Sequence, residues 1–255
     1  MSVTSGARRR VRVDGGLIET LDLPGDEDRR PVVLLHEGLG SIGLWRAFPR
    51  ELASVTGRRV VAYSRPGHGR SEAPRARRTA AFFGHEADVV LPAVLGDLGV
   101  REPVLVGHSD GATIALLHAA RHPVTAVVAM APHVTVEVEA LAGIRDAVRA
   151  FEEGDLRERM ARHHDDPDHV FRSWSDLWLD ERFAGWSVEA EIESLTAPLL
   201  LVHGAHDHYG TEDQLDRITA RVAGPVQRLV VASGHSPHLD VPEVVLDAIT
   251  GFLAA

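Results

Sequence analysis

The chain has 255 residues, a formal net charge of −10, 44% hydrophobic residues and 25% charged residues, which is the composition of an ordinary globular protein. The acidic balance argues against nucleic acid or an anionic membrane as a main partner, although a pocket can still be locally positive. There is no cysteine, which excludes disulfides, thiolate catalysis and cysteine-ligated zinc. Residues 1–10 have no apolar signal-peptide core, and no apolar run reaches membrane-spanning length, so cytoplasmic residence is expected.

The first half of the chain alternates short apolar runs with helical patterns. Two strand-like pieces lie between about Arg8 and Leu23, around a hairpin signal at 14–16. Two mainly apolar runs, typical of buried parallel strands, follow at 31–36 and 59–63. Helices are predicted over about 42–56 and 79–98. The basic run at 75–78 is interpreted as a solvated loop leading into the second helix.

The second half repeats this alternation after one interruption. Strands are predicted at 104–107, 124–130, 198–202 and 227–231, and helices just past Ser109 and at about 211–223 and 242–255. The segment 132–196 is helical, charged and tryptophan-bearing, without a strand-like run. Alternating strands and helices predict an α/β fold with a mostly parallel sheet covered on both faces, and the interrupting segment is where a lid would lie.

A candidate nucleophile stands at the junction of a strand and a helix. Residues 107–111 read G-H-S-D-G, a match to G-x-S-x-G, which is weak alone but is strengthened by the strand before it and the helix after it. The pattern predicts a sharp turn that holds Ser109 in a strained backbone conformation. Glycines two residues to either side remove Cβ atoms that would clash there. The helix N-terminus behind the turn favours developing negative charge.

A serine hydroxyl needs a base, and position selects among 15 histidines. Functional groups of parallel sheets cluster beyond the carboxyl ends of strands, where Asp207 and His235 follow the last two predicted strands. Asp207 is predicted to orient and stabilise the imidazole of His235. Asp213 is the alternative acid, and His238 is the alternative base. The glycine before His235 allows a close approach and favours it.

The remaining polar groups have secondary roles in this prediction. Five other histidines at strand ends are expected to order loops or line the pocket: His36, His108, His133, His206 and His208. No histidine pair combines the helical i, i+4 spacing with a carboxylate partner in the form of a metal motif, so no metal is predicted. The oxyanion donors are expected to be the backbone N–H of Asp110 and that of Gly38, with Leu39 beside it.

Five segments in order resemble the α/β-hydrolase superfamily, in its serine-nucleophile branch with a helical cap. They are H-E-G at 36–38, R-P-G-H-G-R-S at 65–71, G-H-S-D-G at 107–111, A-H-D at 205–207 and G-H-S-P-H at 234–238. The chain order Ser109, Asp207, His235 is the order that this topology requires. The resemblance implies an eight-stranded, mostly parallel sheet with a helical cap inserted after strand 6. Residues 1–131 and 197–255 would form the core, and 132–196 the cap.

Two residues set this chain apart from parts of the superfamily. Many members have glycine where Glu37 stands, and its side chain is expected either to anchor the oxyanion loop or to enter the pocket and select against anionic substrates. Serine at 109 argues against the haloalkane dehalogenase and epoxide hydrolase branches, which use aspartate there.

The predicted function is hydrolysis of a small-molecule ester, lactone or related carbonyl compound through an acyl-enzyme, without a cofactor. The alternatives are C–C bond hydrolysis of a ring-cleavage diketone and non-catalytic binding of a small molecule.

The residues predicted to bind substrate are Leu39, His133, Trp174 and Trp178. Trp186 is a further candidate for the pocket, although aromatic residues of a cap more often form its core. Arg172 and Arg182 are candidates for contacting a carboxylate of the substrate, but each is expected to be solvated at the surface. The sequence predicts neither a nucleic-acid partner nor a membrane partner, and it makes no prediction of the oligomeric state.

Overall fold

A computed structural model describes residues 6–13, 16–73 and 78–254. The strands of those residues form one eight-stranded sheet in the order β1-β2-β4-β3-β5-β6-β7-β8. The strands are β1 (Ala7–Val13), β2 (Gly16–Leu23), β3 (Val32–Leu35), β4 (Val60–Tyr63), β5 (Val104–His108), β6 (Ala126–Met130), β7 (Leu199–Gly204) and β8 (Val226–Val231). The pairs β1–β2 and β2–β4 are antiparallel and the others are parallel, so the predicted mostly parallel sheet is confirmed.

Helices connect the parallel strands. They are α1 (Phe48–Thr56), α2 (Phe82–His85), α3 (Leu91–Asp97), α4 (Asp110–Arg121), α5 (Val138–Glu152), α6 (Leu156–Ala161), α7 (Pro167–Trp178), α8 (Asp213–Arg221), α9 (Pro237–Asp240) and α10 (Pro242–Phe252). A π-helical turn (Glu86–Val90) joins α2 to α3. In the described part of the chain, no helix is both long enough and apolar enough to cross a membrane.

The core has two layers because alternate residues of a strand point to opposite faces of the sheet. On β3, Val33 and Leu35 pack in the layer that contains α3 and α4, whereas Val32 and Leu34 pack in the layer that contains α1 and α10. Strands β3 to β7 are buried along their whole length. This double burial explains their continuous apolar sequences.

Three sequence predictions differ from the structure or fall outside the described residues. The helix predicted over 42–56 is interrupted at Arg46, whose φ of 53° is left-handed, so that a 3₁₀ turn (Ile42–Trp45) precedes α1. The interpretation of 75–78 as solvated is wrong at Arg78, because its Nη1 atom is buried. Residues 14–15, 75–77 and 255, which belong to the predicted hairpin, basic run and last helix, lie outside the described residues.

The segment between β6 and β7 contains α5, α6 and α7 and is attached to the loop after β4. The backbone N–H of Asp165 donates to the carbonyl of Gly69 at 2.9 Å. The neighbouring His164 accepts from the N–H of Gly69 at 2.9 Å through Nδ1 and donates to the carbonyl of Leu39 at 3.0 Å through Nε2. A buried imidazole therefore joins this helical segment to the loop after β3.

Candidate active site

Ser109 lies at the turn between β5 and α4, with φ 53° and ψ −119°. Positive φ is strained for a residue with a Cβ, so the strain predicted from the motif is present. The flanking glycines are required by close packing. A Cβ on Gly107 would lie 2.3 Å from the carbonyl oxygen of Gly111, and a Cβ on Gly111 would lie 2.0 Å from that of Leu35. Any other residue at either position would force the neighbouring backbone to move.

Asp207 and His235 meet beyond the ends of β7 and β8. Nδ1–H of His235 donates to Oδ2 of Asp207 at 2.8 Å, and the N–H of Tyr209 donates to Oδ1 at 2.8 Å. Burial raises the pKa of Asp207, but the contacts with His235 outweigh it and lower that pKa to about 2. Burial lowers the pKa of His235 and Asp207 opposes that shift only in part. His235 is therefore a neutral imidazole with its proton on Nδ1, which leaves Nε2 as an acceptor.

The alternative acid and base lie elsewhere. Asp213 is on α8, where it accepts a hydrogen bond from Arg217 Nε at 2.5 Å. His238 is buried against Trp45 and Phe48, with ring centroids 4.7 and 5.4 Å apart. Neither replaces the Asp207–His235 pair in this structure.

The loop after β3 carries Gly38 beside the turn of Ser109. Arg65 donates from its two terminal nitrogens to the carbonyls of His36 and Glu37, the latter at 2.7 Å, and so holds the loop from beneath. A Cβ on Gly38 would lie 2.4 Å from the indole of Trp174, so the loop and α7 approach closely only because this residue is glycine. Asp110, the first residue of α4, lines the same cavity as Gly38.

A cavity of about 180 Å³ contains Ser109 and His235 in its walls. Each of the four residues predicted to bind substrate lines it: Leu39, His133, Trp174 and Trp178. Trp186 does not, since it packs against Phe83 and Phe183 at 4.9 and 5.0 Å between ring centroids.

Sequence reasoning missed three lining residues, Ala140, Ile144 and Tyr209. Tyr209 could have been found as the neighbour of Asp207 on one loop. Ala140 and Ile144 are four residues apart, which places both on one face of α5.

The side chain of Glu37 contacts a histidine of a neighbouring strand and also borders the cavity. Its Oε2 lies 3.5 Å from Nδ1 of His108, and the carboxylate also borders the cavity. His108 is buried, and its Nε2–H donates to the backbone carbonyl of His235 at 2.7 Å. Burial opposes ionisation of Glu37, but the contact with His108 outweighs it and places the pKa of Glu37 below its ordinary value. The loop of Gly38 is thereby connected to the loop of His235.

The two arginines considered as carboxylate contacts are on the surface, as expected. Arg172 pairs with Glu152 at 2.9 Å, and Arg182 pairs with Asp180 at 2.5 Å. Among the described residues, no group of three or more histidine, aspartate or glutamate side chains could hold a metal ion.

Residues 32–248 match the model of the alpha/beta hydrolase family, and the chain belongs to that family. Epoxide hydrolase B of Mycobacterium tuberculosis is 37% identical over 102 residues, which are 40% of this chain and only 28% of that protein.

Two solved structures have the same fold. The enol-lactonase of Burkholderia xenovorans superposes with a TM-score of 0.75 at 19% identity, covering 97% of this chain and 100% of that one. The 2-hydroxy-6-oxo-6-phenylhexa-2,4-dienoate hydrolase of a Rhodococcus species superposes with a TM-score of 0.79 at 18% identity, covering 98% and 99%.

Proposed function

We propose that this protein is a serine hydrolase that cleaves a small-molecule ester or lactone through an acyl-enzyme on Ser109. The observation that carries the proposal is the strained turn of Ser109 in the wall of the cavity that also contains His235, itself hydrogen-bonded to Asp207 at 2.8 Å. These are the nucleophile, base and orienting acid that acyl transfer needs.

In the proposed reaction, His235 Nε2 accepts the proton of Ser109 Oγ while that oxygen bonds to the substrate carbonyl carbon. The imidazolium then protonates the departing alcohol, which leaves an acyl ester on Ser109. A water molecule, deprotonated by His235, attacks this ester, and the carboxylic acid and free serine are released. Asp207 stabilises the imidazolium without itself taking the proton.

The backbone N–H groups of Gly38 and Asp110 are the proposed oxyanion donors. Asp110 follows the nucleophile at the first position of α4, where the N–H has no partner within the helix. Gly38 is held by the contacts of Arg65 with the carbonyl before it. Two fixed donors stabilise the charge of the tetrahedral intermediate without having to reorganise during the reaction.

Residues 132–196 are the proposed cap, and 1–131 with 197–255 the proposed core. The support is that α5 and α7 supply Ala140, Ile144, Trp174 and Trp178 to the cavity, while the sheet loops supply the reacting groups. The cap would thus shape the substrate and exclude water from the acyl-enzyme.

Two other reactions fit the site less well. A ring-cleavage diketone carries a carboxylate, whereas no arginine or lysine is among the described residues that line the cavity. Epoxide opening by Ser109 would leave an ether on the enzyme, which water does not hydrolyse as it does an ester. Non-catalytic binding would leave the strain at Ser109 without a use.

The test is covalent labelling with a fluorophosphonate, followed by intact mass. We expect one adduct on the wild type, none on Ser109→Ala and strongly slowed labelling of His235→Ala. Ser194→Ala is the control, because Ser194 is an exposed serine that donates to the carbonyl of Ala120. His238→Gln is the control for the base, and we expect it to label like the wild type. An adduct that survives Ser109→Ala would overturn the proposal.

A further inference from the structure

Among the described residues, the walls of the cavity carry carboxylate side chains but no arginine or lysine. Among its described lining residues, Glu37 and Asp110 are carboxylates, while arginine and lysine are absent. One carboxylate oxygen of Asp110 lies 3.0 Å from the point where a Cβ on Gly38 would stand, which places it beside the loop of Gly38.

The basic groups near these carboxylates lie behind them. Arg65 is completely buried, and its terminal nitrogens donate to backbone carbonyls of the loop after β3. Arg78 contacts His68 at 2.9 Å and lies over the ring of Phe82. His108 is 1% exposed behind Glu37. None of these groups lines the cavity, so a charged ligand in it lies closer to the carboxylates than to the basic groups. Because electrostatic energy falls with distance, the carboxylates act on that ligand more strongly.

The other titratable groups in the walls add no positive charge at neutral pH. Burial lowers the pKa of His133 to about 3, and it lowers that of His235 as well. Burial raises the pKa of Tyr209. Burial also raises the pKa of Asp110 against the opposing effect of Arg65 and Arg78, whereas Glu37 is ionised. The described residues that line the cavity therefore carry a net negative charge.

Aromatic rings complete the walls. Trp174, Trp178 and Tyr209 border the cavity, and Trp174 and Tyr209 are 6.4 Å apart between ring centroids. Indole and phenol rings attract cations through their faces, most strongly where water is excluded.

We infer that the cavity accepts a small substrate group that carries a protonated amine or quaternary ammonium and rejects one that carries a carboxylate. This inference rests on which charged groups line the cavity. Glu37 and Asp110 do, whereas the basic groups Arg65, Arg78 and His108 lie behind them. The statement about substrates rests on the proposed serine hydrolase function, but selective binding of an ammonium does not.

Calorimetric binding of three matched ligands tests the inference without turnover. They are benzylammonium, benzyl alcohol and benzoate. We expect the wild type to bind benzylammonium about tenfold more tightly than benzoate, with benzyl alcohol between them. In Glu37→Gln and in Asp110→Asn the ratio of benzylammonium to benzoate affinity falls several-fold.

Glu139→Gln is the matched control, since Glu139 is exposed on α5 and does not line the cavity. It removes the same charge from the protein, so an unchanged ratio in this variant assigns the effect to the cavity walls. Ser109→Ala, which lacks the proposed nucleophile, should keep the wild-type ratio.

Hydrolysis of methyl norvalinate, methyl pentanoate and monomethyl glutarate gives the second arm. After correction for the rate at which each ester hydrolyses in alkali, kcat/KM should fall in that order. In Glu37→Gln the differences in kcat/KM between the three esters should be smaller. Benzoate binding equal to benzylammonium binding, or an unchanged ratio in both cavity variants, would overturn the inference even if Ser109 is labelled. Ammonium selectivity without labelling of Ser109 would instead overturn the proposed function alone.

Discussion

Two opposing effects set the protonation state of His235. Burial favours the neutral imidazole, and the hydrogen bond to Asp207 favours the charged form. Burial is the larger effect, so the pKa of His235 lies below its ordinary value of 6.5. The residue is ready to accept a proton at neutral pH, and the contact with Asp207 still stabilises the imidazolium once it forms.

The first prediction is the pH dependence of kcat/KM. In the proposed mechanism only neutral His235 accepts the serine proton, so the acidic limb should have an apparent pKa below 6.5, and activity should persist at about pH 6. Initial rates on one uncharged ester across about pH 4.5 to 8 give this value. An acidic limb above 6.5 would show that the imidazole is stabilised in its charged form in the free enzyme.

The second prediction concerns Asp207→Asn. The amide can donate to Nδ1, which favours the wrong tautomer of His235 and removes the charge that stabilises the imidazolium. We expect kcat to fall by roughly 10³ to 10⁴, with a much smaller effect on KM. Asp213→Asn is the control, because Asp213 pairs with Arg217 on the surface, and it should retain activity. Equal losses in the two variants would contradict the assignment of the acid.

At the scale of elements, β3, β5 and α4 pack so closely that there is no room for a side chain at two points of contact, Gly107 and Gly111. The backbone of β3 passes directly over Gly111 near the start of α4. This packing presses the turn of Ser109 against the sheet and maintains a backbone conformation that the chain would not adopt alone.

The third prediction compares two Gly→Ala variants. Alanine at 111 would place its Cβ 2.0 Å from the oxygen of Leu35, so β3 or α4 must move; we expect a loss of at least about 2 kcal/mol in the free energy of unfolding, together with slower labelling of Ser109. Alanine at 96, in α3, would meet nothing within 4 Å and should stabilise the protein by about 0.5–1 kcal/mol. Chemical denaturation measures both. A stable, active Gly111→Ala variant would show that the turn is less constrained than the packing indicates.

At the scale of the whole molecule, seven histidines that are wholly or largely buried share one property. In each, burial lowers the pKa below 6.5: His36, His68, His118, His133, His164, His235 and His238. Below pH 6.5 the unfolded chain therefore binds more protons at these groups than the folded chain, and protonation favours unfolding. Their stabilising contribution is complete above pH 6.5 and is lost as the pH falls.

The fourth prediction follows from this loss of stability at low pH. The melting temperature should fall steadily from about pH 7 to 5, because each such histidine contributes up to about 1.4 kcal/mol per pH unit. His118→Gln should have a shallower pH dependence, since the pKa of His118 is lowered to about 4. His206→Gln, at an exposed position, should have the wild-type slope. A melting temperature constant over this range would contradict the prediction.

Local sequence patterns predicted the fold class and supplied the candidates for the site. Short, mainly apolar runs identify the central strands, because these are buried on both faces. The G-x-S-x-G pattern predicted the strained turn of Ser109. Positions just past strand ends identified Asp207 and His235 as candidates. Each of these signals depends on neighbours along the chain.

Contacts between distant loops decided the rest. Asp207 rather than Asp213, and His235 rather than His238, form the hydrogen-bonded pair because the ends of β7 and β8 are adjacent. His108 reaches the carbonyl of a residue 127 positions later, and Glu37 lies on a third loop. The polar partners of a buried side chain come from whichever loops the packing of strands and helices brings together. Periodicity along the sequence records burial, but it does not record those partners.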